Sequence, residues 1–398
     1  MSRTELAELA NASIYRRTGR LTPLDGHYVA KLERGVIRWP RQEYRWALRD
    51  VLGVAADSEL GFRRPRRPTG DVLSPLPSGR EAERDRLARI LSGHCRADDT
   101  AVRYLEGVLV HQRRLEDTLG SVRMVPVVQA EMELVAHLGA QARGRRRTDL
   151  ATLLAEYHEF AGRMADYNGD HRAALYHAGR ALDAARELDR ADLVAAAFGL
   201  RSHLAWGTGD AAGTIAFAEA GQRDAHALSP GVAGFLTQML GRGHAQQGDR
   251  SAAERLIDRS DDLTARAAAH PEDEPWWTYL QTPVRARLQR GLAYLELGLP
   301  GQARTVIDEA RPTLPGPCRR DRGRFAASLA LACALDGDVE TAVVAGKEAV
   351  EIVAGTGPVH AVDDLRRLRG IVGGQGTHDQ VLEELDEAFG ALAGASVR

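Results

Sequence analysis

The sequence contains few cysteines, few aromatic residues and no long hydrophobic run. Its three cysteines, Cys95, Cys318 and Cys333, lie far apart and form no C-x-x-C pair. This odd number and this spacing argue against a disulfide framework and against a zinc site. The longest apolar stretch, residues 325–335, is well short of the roughly 20 residues that a membrane helix needs, and no basic-then-apolar signal segment opens the sequence. We therefore expect a cytoplasmic protein that does not enter a membrane.

The composition favours helices, and the charges are unevenly distributed. Aromatic residues make up 5% of the 398 residues, hydrophobic residues make up 44%, and alanine and leucine are abundant, as is typical of helical proteins. Residues 1–70 contain 14 Lys+Arg and 8 Asp+Glu, a net charge of +6, whereas the remaining residues contain 39 and 47, a net charge of −8. These opposite charges predict that the small N-terminal part contacts a polyanion, while the large part binds something else.

The main regularity is a series of five glycines, Gly169, Gly209, Gly248, Gly298 and Gly337, at intervals of 40, 39, 50 and 39 residues. A glycine ends a helix in the left-handed conformation, and the aspartate that follows four of these glycines can cap the next helix. Small residues, which let two helices approach closely, occur seven positions before, five after and twelve after each glycine. These three columns comprise Gly162, Ser202, Gly241, Gly291, Ala330, Ala174, Thr214, Ala253, Ala303, Ala342, Ala181, Gly221, Ser260, Ala310 and Ala349. The pattern predicts five helical hairpins.

These hairpins resemble the tetratricopeptide repeat, whose unit has about 34 residues. The longer intervals imply an extra turn of helix in each unit, and the longest one places an insertion at residues 270–283, which includes Trp276 and Trp277. We expect these tryptophans to pack between repeats, although one of them can face a groove, because adjacent helical residues point about 100° apart.

The expected fold is all-α, with an N-terminal helix-turn-helix domain followed by an α-solenoid of tetratricopeptide-like hairpins. The expected boundaries are 1–60 for the helix-turn-helix domain, 61–80 for a linker rich in proline and arginine, 81–150 for degenerate hairpins, 151–356 for the five repeats and 357–398 for capping helices.

The N-terminal domain is expected to bind DNA. Ser2 and Glu5 have the spacing of a capping box, so a first helix should begin near residue 2; a second should run from about residue 25 to 35 and a third from 41 to 52. Near the N-terminus of the second helix, four residues that should face outward occupy the positions at which a recognition helix contacts bases. These are Gly26, His27, Tyr28 and Lys31. The residues expected to contact phosphates are Arg3, Arg16, Arg17, Arg20, Arg34 and Arg38. The alternative for each arginine is a charge that is exposed to solvent and contacts no DNA.

The segment Tyr28-Val29-Ala30-Lys31-Leu32-Glu33-Arg34-Gly35, followed by Pro40, resembles the Xre or Cro/C1-type helix-turn-helix family. With the repeats added, the whole chain resembles actinobacterial regulators that join this domain to a tetratricopeptide body. Two features differ from the family. The helix that normally precedes the one at Ser2 is expected to be missing, and the turn between the first two helices is longer by residues 14–21.

The tetratricopeptide resemblance implies that residues of each first helix line a concave groove. When the groove positions of the tetratricopeptide repeat are counted from the turn glycines of this sequence, they fall on Glu156, Glu159, Arg163, His203, Trp206, Gln238, Arg242 and Arg285. Their mixed charges suit a peptide or a polar small molecule. We therefore expect a sequence-specific transcriptional regulator that binds double-stranded DNA as a homodimer and senses such an effector through its solenoid. The alternative is a tetratricopeptide interaction scaffold whose N-terminal domain does not bind DNA.

The sequence offers little support for an enzyme, a metal or a cofactor. The glycines at 207, 209 and 213 lack the preceding strand of a nucleotide-binding loop. His158-Glu159 lacks the second histidine of a zinc-protease motif, and Cys333 lies in an apolar run, where a thiol is expected to be buried and inert. We expect a binding protein without catalytic activity, metal or cofactor.

Overall fold

The computed structural model describes residues 1–35, 37, 40–54, 56–62, 81–92, 96–374 and 386. All regular secondary structure in these residues is helical. The N-terminal head comprises three helices, α1 (Arg3–Thr18), α2 (Gly26–Glu33) and α3 (Gln42–Leu52). Three expectations concern residues outside this description: the linker from residue 63 onward, most of the capping segment beyond residue 374, and the position of Arg38.

The body begins with three helices and continues with five helical hairpins and a final helix. The first three are α4 (Glu81–Leu91), α5 (Asp99–Leu119) and α6 (Ser121–Gln141). The hairpins pair α7 (Arg145–Tyr167) with α8 (His171–Glu187), α9 (Ala191–Gly207) with α10 (Ala211–Gly221), α11 (Pro230–Gln246) with α12 (Arg250–Ala269), α13 (Pro283–Glu296) with α14 (Pro300–Ala310), and α15 (Arg319–Leu335) with α16 (Val339–Thr356). The final helix is α17 (Val359–Gly374). The all-α fold class with tetratricopeptide-like hairpins is confirmed. None of the helices in the described part of the chain is long and apolar enough to cross a bilayer.

Each hairpin turns at one of the five predicted glycines, whose φ angles lie between +70° and +90°. Glycine adopts this left-handed region without steric strain. In four hairpins the aspartate after the glycine caps the second helix, as where Asp170 accepts a hydrogen bond from the backbone N–H of Ala173 at 2.9 Å. In the remaining hairpin Pro300 occupies the first turn of α14. Proline has no backbone N–H, but in the first turn this group would have no partner within the helix.

The small residues before and after each turn meet where the two helices of a hairpin cross. A Cβ atom added to Gly162, Gly241 or Gly291 would lie 3.4–3.5 Å from the backbone oxygen of the small residue five positions after the turn. In the second hairpin Ser202 donates a hydrogen bond to the equivalent oxygen, that of Thr214, at 2.7 Å. A larger side chain at these positions would hold the two helices apart. The two helices therefore cross at the equivalent position in all four hairpins.

The first and last parts of the body contact each other. Helix α17 packs on α7 as well as on α15, and α5 packs on α15 and α16. A Cβ atom added to Gly120, between α5 and α6, would lie 2.6 Å from the backbone oxygen of Thr356, and Val359 lies against the turn at Gly169. The two ends of the helical array therefore meet, and the hairpins enclose a groove.

The head has its own small core, formed where α1 packs on α2 and α3. Ser2 and Glu5 form the predicted capping box at the start of α1. The expectation that residues 14–21 lengthen a turn is wrong for residues 14–18, which belong to α1. The reason is that Ile14, 1% exposed, continues the buried face of this helix.

Candidate ligand groove and nucleic-acid interface

The groove inside the body is lined by side chains from the first helix of successive hairpins. Seven of the eight residues transferred from the repeat positions line a single cavity, namely Glu159, Arg163, His203, Trp206, Gln238, Arg242 and Arg285. They come from α7, α9, α11 and α13. The free space among them is about 110 Å³, well above the roughly 10–15 Å³ that one water occupies on this measure. The cavity is therefore an accessible polar site enclosed by several repeats.

The eighth residue, Glu156, does not line this cavity, so the expectation for it is wrong. Its two carboxylate oxygens each lie 3.1 Å from Nε1 of Trp276, which donates to them. Trp276 arrives from the insertion and covers Glu156 because its ring packs against the core of the first helices of the body. The neighbouring Trp277 points differently and lines the groove, in agreement with the expectation that at most one of the two faces it.

The acidic residue at one wall of the groove is held between two arginines. Glu159 Oε2 lies 2.6 Å from Arg113 Nη2, and its other oxygen accepts from Arg163. Burial alone would raise the pKa of Glu159, but Arg163 and Arg113 lower it to about 2. The carboxylate is therefore ionised at neutral pH, and both guanidinium groups are fixed in position.

Arg242 occupies the floor of the groove and is 1% exposed. It donates to Gln289 Oε1 at 3.0 Å and to Glu296 Oε1 at 2.8 Å. Its guanidinium carbon lies 3.5 Å from the ring centroid of Trp206, a cation–π contact. Burial lowers the pKa of Arg242, while Glu296 acts in the opposite direction. This arginine and the aromatic ring form a rigid floor.

Two histidines and an aspartate meet beside that floor. Nε2 of His203 and Nε2 of His360 lie 3.3 Å and 3.2 Å from the same oxygen, Oδ2 of Asp166, and both imidazole rings lie 5.2 Å from Trp206. Burial lowers the pKa of His203 to about 4. Burial acts to raise the pKa of Asp166, but the two histidines lower it below its usual range. The three side chains form a polar cluster at the seam between α7, α9 and α17, in which the aspartate is buried and the histidines are partly buried.

Sequence reasoning missed several groove residues, some of which occupy repeat offsets already used, and Arg324 is an example. Arg324 lies 13 residues before Gly337, the same offset that Arg285 has from Gly298. Transferring this position to the fifth repeat would have found Arg324, which lines the cavity. Arg113 and His360 belong to α5 and α17, outside the repeats, and no sequence pattern relates them to the groove.

The four residues expected to contact bases divide into two pairs. His27 and Lys31 are exposed on α2. Gly26 faces α1, from which a Cβ atom on it would be only 3.1 Å away, and the ring of Tyr28 packs edge-on against Tyr44 with centroids 5.2 Å apart. The expectation that Gly26 and Tyr28 face outward is therefore wrong, because the packing of α2 on α1 and α3 uses both positions.

The arginines expected to contact phosphates lie at the surface of the head, as far as they are described: Arg3, Arg16, Arg17, Arg20 and Arg34. Arg3 pairs with Glu33 at 2.6 Å, Arg20 lies 3.9 Å from Asp189, and the guanidinium of Arg17 lies 4.6 Å from the ring centroid of Trp46. Exposed ion pairs of this kind contribute little free energy. These arginines can therefore exchange their present contacts for a polyanion.

The head contacts the body through an ion-pair network on α3. Arg45 lies 2.5 Å from Asp57 in the head and 3.4 Å from Asp273 in the insertion, and Arg49 lies 3.0 Å from Asp273. Burial, with a further contribution from Asp273, raises the pKa of Asp57 to about 6. Beside this network, a cavity of about 660 Å³ separates α3 from α11 and α12, so the contact between head and body is incomplete.

No protein-family model and no curated protein matches the chain. Among solved structures, it is similar to a Rap protein complexed with Competence and Sporulation Factor, at 13% identity and a TM-score of 0.49, over 79% of this chain and 81% of that one. It is also similar to BtubC from P. vanneervenii, at 17% identity and a TM-score of 0.39, over 65% and 93%. A third similar structure is the Signal Transduction ATPase with Numerous Domains protein with a tetratricopeptide repeat sensor from Pyrococcus horikoshii, at 12% identity and a TM-score of 0.42, over 97% and 62%. These values are too low to transfer a function to this chain.

Proposed function

We propose that this chain is a ligand-responsive transcriptional regulator of the Xre type that works in the cytoplasm without catalysis. In this proposal the head binds double-stranded DNA sequence-specifically, the groove binds a peptide or a polar small molecule, and the protein acts as a homodimer. The observation that carries the proposal is the convergence of polar and aromatic side chains from four successive hairpins on one cavity. Pockets with a few placed polar groups among apolar walls are typical of ligand sites.

The charge distribution supports the assignment of DNA to the head. The exposed His27 and Lys31 are four positions apart and share one face of α2, and Arg3 of α1 reaches Glu33 at the end of that helix. The contacts with the body use Arg45 and Arg49 of α3 and Arg20 beyond α1, none of which belongs to α2, so they leave this face of α2 open. Lysine and arginine that neutralise phosphates release counterions, which favours binding to any duplex, while base contacts add sequence preference.

A mobility-shift experiment with genomic DNA fragments tests the head. We expect the double variant His27→Ala plus Lys31→Ala to bind at least about tenfold more weakly than the wild type and to show a shallower salt dependence. His171→Ala plus Arg172→Ala is a matched control, because it removes the same kinds of charge from an exposed position on α8. Equal binding by wild type and head variant would reject α2 as the reading helix.

A phage-displayed random-peptide library, panned on the full-length protein, tests the groove. We expect enriched peptides to lose binding to Trp277→Ala and to Gln238→Ala, which both line the cavity. The control is Tyr176→Ala, since this tyrosine is 61% exposed on the outside of α8. Peptides that bind all four proteins equally would place their site elsewhere on the body.

The alternative, an interaction scaffold with a head that does not bind DNA, is favoured by one observation. Gly26 and Tyr28 are committed to packing within the head, which leaves fewer side chains to read bases. This alternative predicts that the wild type retains no DNA fragment even at low salt, while a protein partner copurifies in stoichiometric amount. Light scattering of the purified chain, with and without duplex, tests the proposed homodimer.

A further inference from the structure

Three donor atoms from three different helices meet at the seam of the body. Asp166 lies on α7, His203 on α9 and His360 at the start of α17, and one oxygen or nitrogen of each lies within 4.8 Å of the other two. No other group of three or more histidine, cysteine, aspartate or glutamate side chains converges in this way among the described residues. The cluster is distinguished by its ligand types as well as by its geometry.

We propose that Asp166, His203 and His360 bind one divalent transition-metal ion of the zinc type. Zinc bonds to histidine nitrogen and carboxylate oxygen are about 2.0–2.2 Å long, so tetrahedral donors lie roughly 3.3–3.5 Å apart. The two nitrogen–oxygen distances, 3.3 Å and 3.2 Å, already match this separation. The ligand atoms of the two imidazoles lie within 4.8 Å of each other, so these rings have to approach each other when an ion binds. Imidazole ligands select zinc and its neighbours, whereas magnesium and calcium take oxygen ligands.

The position of His203 separates a metal site from an ordinary hydrogen-bonded cluster. Its Nε2 atom is buried and meets no acceptor at hydrogen-bonding geometry, although Asp166 Oδ2 is 3.3 Å away. In a cluster held by hydrogen bonds alone, a buried ring nitrogen would point directly at the carboxylate, since leaving it unpaired costs free energy. A buried ring nitrogen that lies beside a carboxylate without a hydrogen bond to it is an arrangement that a cation between the two would satisfy.

The site would have two structural consequences. Asp166 and His203 belong to the first two hairpins and His360 to the final helix, so an ion bound by all three holds the two ends of the body together. Three protein ligands also leave one coordination position for water or for another donor. Because His203 and His360 line the groove, a ligand in the groove has access to that position. The ion would therefore link closure of the body to occupancy of the groove.

Metal titration of the full-length, tag-free protein tests the proposal. After removal of metals with a chelator, we expect calorimetry to show one Zn²⁺ bound per chain, and Co²⁺ to give the visible absorption of a tetrahedral site with nitrogen ligands. Zn²⁺ should also raise the melting temperature, because an ion that binds only the folded state stabilises it. Asp166→Asn and His360→Gln should each weaken Zn²⁺ binding at least about tenfold.

The double variant His158→Gln plus His177→Gln is the matched control, because it removes two neighbouring imidazoles, 3.0 Å apart, that are not part of the cluster. It should bind Zn²⁺ as the wild type does. The proposal is overturned if the wild type binds no Zn²⁺, if the cluster variants bind it unchanged, or if the control loses binding equally. Should a cluster variant fail to fold, the Co²⁺ spectrum of the wild type decides: nitrogen-ligated tetrahedral bands support the site, and their absence rejects it.

Discussion

In the described part of the body three arginines, Arg113, Arg242 and Arg320, are buried against carboxylates, whereas in the head only Arg45 is, and most of its described arginines remain at the surface. Arg320 of α15 is 2% exposed and contacts both Glu116 and Asp117 of α5. In the head, the side chains of Arg3 and Glu33 form an ion pair while they are 58% and 50% exposed. These arginines thus hold helices together in the body, whereas arginines of the head leave positive charge at the surface. Removal of charge should therefore cost much more stability at a buried ion pair than at an exposed one.

The largest effect is expected for Arg320→Met. This change leaves the carboxylates of Glu116 and Asp117, 2% and 4% exposed, without their cation at the contact between α5 and α15. Breaking a buried ion pair in this way costs about 3–5 kcal/mol, so the midpoint of urea unfolding should fall strongly. Arg366→Met is the control, because its pair with Asp363 is exposed. A similar small loss for both variants would contradict the distinction between the two kinds of arginine.

A smaller loss is expected for Gly199→Ala, which tests the close helix packing of the body. The added Cβ atom would lie 2.4 Å from Cε1 of Phe235, and such overpacking costs about 1–3 kcal/mol. Gly179 is the comparison, since a Cβ atom there meets only the end of the Arg201 side chain, at 3.6 Å. Gly179→Ala should be neutral or stabilising through helix propensity. Thermal unfolding of both variants measures the difference, and equal melting temperatures would show that the helices adjust.

The contact between head and body should depend on pH through Asp57. Its pKa is raised to about 6 by burial, above the roughly 3.9 of an unfolded aspartate. The folded state therefore holds the proton more tightly, so the stabilisation is complete below about pH 4 and is lost as the pH rises through about 6. We expect a change of about 2–3 kcal/mol, since each pKa unit corresponds to about 1.4 kcal/mol. Urea unfolding across this range measures it, and Asp57→Asn should flatten the profile; an unchanged profile would assign the dependence to other groups.

The smallest effect is expected for Glu33→Gln in the head. Loss of the exposed pair with Arg3 should change the free energy of unfolding by less than about 1 kcal/mol. Removal of a negative charge from the C-terminal end of α2 should at the same time strengthen DNA binding slightly, if the head binds DNA as proposed. Unfolding and mobility-shift measurements on one preparation test both statements. A large loss of stability would show that surface charges in the head are structural after all.

The parts of this molecule that sequence predicts well are those set by local chemistry. The glycine at each turn, the aspartate after it and the small residues at fixed offsets act within a single hairpin, so a regular spacing is enough to identify them. For the same reason seven of the eight groove positions implied by the tetratricopeptide resemblance line the cavity. Glu156 was misplaced because Trp276, from an insertion with no counterpart in the other repeats, covers it.

The errors in the head have a similar cause. A helical face was assigned from the positions of Val29 and Leu32, but α2 has neighbours on two sides, and Tyr28 packs against Tyr44 of α3. Periodicity identifies which residues of a helix are apolar, whereas it does not show how much of the remaining surface a second neighbour covers. Ile14 likewise looked like part of a turn until its burial against the head core placed it in α1.

The sequence by itself determined the helical class, the five turns, the crossing points within the hairpins and seven residues of the groove lining, because each of these depends on residues close together in one repeat. Only the tertiary structure decided where the array meets itself. The contacts of Arg320 with Glu116 and of His360 with Asp166 join residues 204 and 194 positions apart. They depend on the small rotation between successive hairpins, accumulated over the whole array, and no local pattern records that sum.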